Sequence, residues 1–183
     1  MIGWILLGVV VLLILWVIGA YNGLVQLREN VKNGWSQIDV QLKRRHDLIP
    51  NLVETAKGYL KHESGTLENV IKARQVAVDA SSIKDKIQSE NMPTGTLRSL
   101  FAVAENYPNL KADRHMMQLQ AELTSTENKI GFARQYYNDE VNRFNVMVQS
   151  FPANIIAGMF NFQKSEFFKL DNPEEKNVPQ VKF

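Results

Sequence analysis

Residues 116–148 read MMQLQAELTSTENKIGFARQYYNDEVNRFNVMV, and their apolar spacing decides the fold class. Met116, Leu119, Leu123, Thr126, Ile130, Ala133, Tyr137, Val141, Phe144 and Val148 recur at steps of three or four. On an α-helix these steps place every one of them along a single stripe, the pattern of a left-handed bundle or coiled-coil seam. The stripe stops at Phe151–Pro152, because proline lacks the N–H that would continue the helix.

Similar periodicity precedes it. Leu24, Leu27, Val31, Trp35, Ile38, Leu42 and Ile49 predict a first soluble helix that ends or kinks at Pro50. Leu52, Val53, Ala56, Tyr59, Leu60, Leu67, Val70, Ile71, Val76 and Val78 predict a second. The polar run ASSIKDKIQSENMPTG, residues 80–95, reads as a loop, followed by a helix over 95–106 and a turn at ENYPNLKAD, 105–113. No clear period-2 segment accompanies these, so the class is all-α, an antiparallel three- or four-helix bundle.

Residues 2–20, IGWILLGVVVLLILWVIGA, are apolar throughout, and the first charged side chain is Arg28. As a helix these residues span about 28 Å, close to the roughly 30 Å hydrocarbon core of a bilayer. Trp4 and Trp16 fall near the two ends, where amphipathic rings favour the interface. A cleaved signal peptide would want a basic start and a shorter apolar run. The reading is a single transmembrane helix that continues into the bundle as a rod of about 70 Å from residue 2 to 49. Arg28 and Lys32 flank its C-terminal end, which puts the N-terminus outside and the bundle in the cytoplasm. The expected organisation is an anchor over 1–20, a bundle over 21–160 and a Phe-rich, partly irregular tail over 161–183.

Composition removes several functions. Lys+Arg 21 against Asp+Glu 19 is too balanced for a dedicated nucleic-acid binder. The absence of cysteine excludes disulfides, thiolate catalysis and Cys-based metal sites. No Glu is followed three residues later by His, as a di-iron bundle requires, and neither a Gly-x-Ser-x-Gly elbow nor a phosphate loop is present. No catalytic residue, metal or cofactor is expected.

The basic run in QLKRRHDLIP, residues 41–50, invites a lipid-binding reading, but Lys43 would lie about 35 Å beyond the anchor along a straight helix. That is several times the roughly 8 Å screening length. Arg45 instead falls on the core-facing stripe between Leu42 and Ile49, and an inward arginine must be paired. Glu122, Glu127, Asn128, Arg134, Asn138, Asn142 and Asn145 are the polar groups available on the last long helix. The hypothesis is a polar network joining Arg45, His46 or Asp47 to Glu127 and Arg134. It would be ruled out by an Arg45→Met variant with unchanged stability and oligomeric state. The phenylalanines of FPANIIAGMFNFQKSEFF, residues 151–168, either seal one end of the bundle or touch a membrane or partner; Phe160, Phe162, Phe167, Phe168 and Phe183 are the candidates.

Several of these pieces resemble the LemA proteins: YNGLVQLRENVKNGWSQIDVQLKRRHDLIPNLVE from Tyr21, KGYLKHE from Lys57, ENYPNLKAD from Glu105, STENKIGFARQYYNDEVNRFN from Ser125, FPANIIAGMF from Phe151 and the VPQVKF end. The departures are Gly34, where alanine is common, and Asn161, where glycine is. The resemblance implies a single-pass bacterial membrane protein with a cytoplasmic helical bundle. Some members occur beside membrane metalloproteases, and a magnetosome branch is tied to organelle formation. It brings no catalytic residues. Two readings result: a membrane scaffold or adaptor that self-associates or docks on a membrane protein, or a sensor or enzyme using a polar pocket at the bundle centre. The terminal VKF is a further candidate contact for a partner groove.

Overall fold

The computed structural model describes residues 1–169. Seven helices follow in order: α1 Ile2–Lys57, α2 Ser64–Asp79, α3 Ile83–Ser89, α4 Asn91–Ala104, α5 Pro108–Lys111, α6 Arg114–Gln149 and α7 Ala153–Met159. There is no strand among the described residues. Phe183 and the VKF end lie outside them.

The described chain forms two compact units. The first takes residues 1–39 and 131–168, and the second residues 40–130.

In the first unit α1 and α6 run antiparallel. A methyl on Gly23 would come within 2.9 Å of Met147 Cε, Asn30 donates to Glu140 at 3.1 Å, and a methyl on Gly34 would come 3.1 Å from Tyr137 Cα. Seven residues forward on one helix thus match seven backward on the other. Leu24, Val31 and Ile38 of α1 are buried with Tyr137, Val141 and Phe144 of α6. Each large apolar side chain so buried contributes about 1.5–3 kcal/mol. α7 adds Ile156 and Ala157. Asn161 then turns the chain with φ 55, a left-handed conformation that asparagine tolerates better than most side chains.

From there residues 162–168 run without regular secondary structure along α6. Asn145 Nδ2 donates to Ser165 O at 2.9 Å while its Oδ1 accepts from Ser165 N at 2.8 Å. Asn138 repeats the pair with Phe168, at 3.1 and 2.8 Å. The geometry explains the spacing. Seven helical residues rise about 10.5 Å and three extended residues about 10 Å, so two amides on one helix face meet alternate points of one extended segment. Tyr137 Oη donates to Glu166 O at 2.9 Å. Burial raises the Tyr137 hydroxyl pKa, with the Glu166 charge adding to it.

In the second unit the C-terminal part of α1, α2, α4 and the N-terminal part of α6 supply the core, centred on Ile49, Leu52, Val70, Leu97, Leu100 and Leu123. Three expectations change here. α1 does not end at Pro50 but continues to Lys57. Pro50 cannot donate to His46 O, four residues back, and that freed carbonyl accepts from Arg74 Nε of α2 at 2.7 Å. The break between the first two helices falls instead at residues 58–63. The stretch 80–95 is mostly helical. Ser82 Oγ caps α3 by accepting from Asp85 N at 3.0 Å, and Pro93 stands in the first turn of α4, where no intrahelical donor is needed. At the start of α6, Asp113 Oδ1 accepts from Met116 N at 3.0 Å. That backbone bond holds the Asp113 carboxyl below its usual range, and the Tyr59 hydroxyl at 3.1 Å assists.

Candidate functional site

The second unit encloses a cluster of charge. Arg45 is fully buried on α1, placed inward by its position between Leu42 and Ile49. Its Nη1 donates to Glu127 Oε2 at 2.8 Å and to Thr94 Oγ1 at 2.9 Å. Its Nη2 donates to the carboxylate of Glu90 and, at 3.3 Å, to the Glu90 carbonyl. His46 Nε2 lies 3.1 Å from the other Glu90 oxygen. One guanidinium therefore ties α1 to α6 through Glu127 and to the α3–α4 junction through Glu90.

The Glu90 side chain is 1% exposed. Burial alone pushes its carboxyl up, but the His46 hydrogen bond and the Arg45 charge together outweigh burial and hold it below the usual carboxylate range. A carboxylate held that way is a weak proton acceptor near neutral pH, where a general base works best with a raised pKa. The arrangement suits fixing helix register, as buried polar contacts do in some bundles. A cleft of about 300 Å³ lined by Arg45, Thr94, Arg98, Phe101, Glu127 and Asn128 reaches the cluster from the half-exposed Glu127 side.

The residues expected at this centre are distributed as follows. Arg45, His46 and Glu127 belong to the cluster. Asp47 is exposed, two residues beyond Arg45 and so about 200° around the helix. Arg134 lies in the first unit with its guanidinium 4.6 Å over the Phe168 ring. Asn138 and Asn145 hold the extended segment rather than Arg45. Glu122 approaches Arg44 at 4.0 Å on the surface. Glu90, Thr94 and Arg74 were missed. Glu90 and Thr94 stand in the stretch read as loop, although their spacing of four is helical. Arg74 is recognisable only once Pro50 is seen inside a helix.

The aromatic candidates also divide. Phe162 and Phe168 are buried, and Phe160 and Phe167 are exposed. Phe160 packs on Tyr21 with ring centroids 4.7 Å apart, Phe162 lies under Arg28 at 5.1 Å, and Phe168 stacks on Trp35 at 6.3 Å.

The sequence pattern of the LemA family matches residues 34–183. Among known relatives, Protein LemA of Metamycoplasma hominis is 28% identical over 167 residues, covering 84% of this chain and 74% of that protein. Magnetosome protein MamQ 2 of Paramagnetospirillum magneticum is 22% identical over 175 residues, covering 81% of this chain and 64% of its own length. Magnetosome protein MamQ of Magnetospirillum gryphiswaldense is 21% identical over 174 residues, with the same coverage. The chain thus spans less than two thirds of these magnetosome proteins. Over most of its length, this helical chain belongs to the LemA family.

Proposed function

We propose that this chain is a membrane-anchored helical-bundle scaffold or adaptor of a bacterial cell membrane. It self-associates or docks on a membrane protein, such as a membrane protease or a membrane-organising assembly. One observation carries the reading. α1 runs unbroken from the apolar stretch, long enough to cross a bilayer, into the core positions Leu24, Val31 and Ile38. An anchor joined by continuous helix to a packed core transmits position rather than providing a flexible tether. The magnetosome relatives lend the membrane-organising sense. The charge cluster contributes register, since its carboxylates are engaged with Arg45 and His46.

Arg28 and Lys32 after the apolar stretch support an outside N-terminus and a cytoplasmic bundle. In intact cells a Phe132→Cys variant would then react with a membrane-impermeant maleimide only after permeabilisation. Labelling before it reverses the orientation.

The scaffold reading is tested by the native mass of full-length protein extracted in mild detergent, with co-purifying proteins identified. A homo-oligomer or a stoichiometric foreign partner is expected. A bare monomer overturns the reading.

The cleft at Arg45, Thr94, Arg98 and Glu127 favours a second reading, a sensor or enzyme for a small polar ligand. A ligand-dependent rise in Tm that Arg98→Ala removes would carry it; no such rise across a metabolite panel leaves the cluster purely structural.

A further inference from the structure

We infer that the corner made by the end of α6, α7 and Phe160 is a second membrane contact, seated in the headgroup region of the bilayer that α1 crosses. The inference rests on the membrane reading of residues 2–20 and adds a site to it. The antiparallel register within the first unit sets the level. Gly23 faces Met147 and Asn30 bonds Glu140, so one further half-turn brings Gln149, the last residue of α6, opposite Tyr21. Tyr21 directly follows the apolar stretch, and its ring packs 4.7 Å from Phe160. The corner therefore stands where the anchor emerges.

Its chemistry matches that place. Residues 144–163 carry no charged side chain, a gap bounded by Arg143 and Lys164. The first charge on α1, Arg28, lies over Phe162 at 5.1 Å, about 10 Å farther along the helix than Tyr21. While Ile156 and Ala157 of α7 are buried, Phe151 (81%), Ile155 (53%), Met159 (73%) and Phe160 (52%) are exposed. Ile155 and Met159 stand four apart on α7, and Phe151 lies just before that helix. Four large apolar side chains exposed within ten residues mark an interaction surface. Phe160 joins it to α1 at Tyr21, directly after the exposed apolar side chains of the anchor. Apolar faces so placed bury about 5–10 Å into the headgroup and acyl boundary. The occupant is lipid.

The chain has no cysteine, so every introduced thiol is unique. Leu12→Cys, Ile155→Cys, Met159→Cys and Phe132→Cys variants of the full chain are labelled with the environment-sensitive dye NBD. They are reconstituted in phosphatidylcholine–phosphatidylglycerol vesicles with or without spin-labelled lipid. The labels at 12, 155 and 159 should emit blue-shifted from the label at 132 and lose emission to spin-labelled lipid. For 155 and 159 the loss should be larger with the spin label at a shallow acyl position. Water-like, unquenched emission at 155 and 159 beside a quenched 12 overturns the inference and leaves the anchor standing. A blue shift at 155 and 159 without lipid quenching assigns the patch to protein, a second copy included, and also overturns it. Water-like emission at 12 overturns the membrane reading and the inference together.

Discussion

The two units solve the same problem with different chemistry. In each, helices bring polar side chains inside and must satisfy them. The second unit uses charge, with Arg45 clamped between Glu90 and Glu127. The first buries one carboxylate, Glu140, held by Arg143 at 2.9 Å and Asn30 at 3.1 Å, but seats its extended segment with neutral amides, Asn138 and Asn145, each bonding both backbone groups of one residue of that segment. The difference lies in what failure costs. Breaking a buried ion pair leaves an uncompensated charge in low dielectric, whereas losing a neutral amide leaves a backbone N–H and C=O at a half-buried surface.

The largest expected effect follows from that asymmetry. Glu90→Ala leaves the buried Arg45 Nη2 and His46 Nε2 without their carboxylate, with only the half-exposed Glu127 still paired to Arg45, and should destabilise the second unit by about 3 kcal/mol. Arg45→Met combined with Glu90→Leu removes both charges and should recover most of that loss, as hydrophobic replacement of buried pairs does. Denaturant unfolding of the full chain in detergent, followed by hydrogen exchange on α4 and α6, would read both. A double variant no more stable than Glu90→Ala would mean that the remaining bonds of Glu127, Thr94 and His46 matter more than the Arg45–Glu90 pair.

Acid adds a second break. The Glu90 carboxyl is held below its ordinary value near 4.5. A depressed carboxylate contributes stability that is fully present above the ordinary value and lost as pH falls through the folded one. Unfolding midpoints measured from pH 6 downward should therefore drop more steeply below about 4.5 in the native chain than in Glu90→Gln. Parallel curves would remove Glu90 as the acid-sensitive group.

The neutral side of the comparison is weaker and local. Asn145→Ala deletes both bonds to Ser165 and should cost about 1–3 kcal/mol. The loss should appear as faster exchange of the Ser165 and Phe168 amides, with the α4 core amides unchanged. If α4 loosens equally, the extended segment is coupled to far more than α6.

What was legible in the sequence tracks how local each signal is. The α6 stripe is periodic and the start of α1 is apolar over many residues; α6 appears close to its expected bounds, and α1 begins where expected. Arg45 was legible because an inward charge on an apolar stripe demands a partner, and Glu127 was among the few acids on the opposite helix. Glu90 was hidden by composition, since Ser, Asn, Pro and Gly around it signal a loop when their positions within a turn are ignored. Ser82 three residues before Asp85 was the cap that could have corrected it. Pro50 misled for a tertiary reason: the hydrogen bond it forfeits is replaced from Arg74, which no local pattern near residue 50 contains. The sequence shows Asn138 and Asn145 only as polar groups on the last long helix, because an irregular segment offers its backbone without any side-chain signature.

The smallest effect separates packing from polarity within the first unit. Two glycines of α1 meet α6, and each lowers helix stability by roughly 1 kcal/mol relative to alanine. At Gly23 an added methyl meets Met147 Cε at 2.9 Å, the free end of a flexible side chain that can swing aside. At Gly34 it meets Tyr137 Cα at 3.1 Å, backbone that moves only with α6 itself. Gly23→Ala should therefore stabilise the first unit by up to about 1 kcal/mol, whereas Gly34→Ala should gain less or lose. The Gly34 variant should also disturb Asn138, the residue after Tyr137, and so speed exchange at the Phe168 amide. Equal gains from both substitutions, with Phe168 exchange unchanged, would show that α6 yields freely at Tyr137. The seating of the extended segment would then rest on its amide bonds alone, not on the close approach of the two helices.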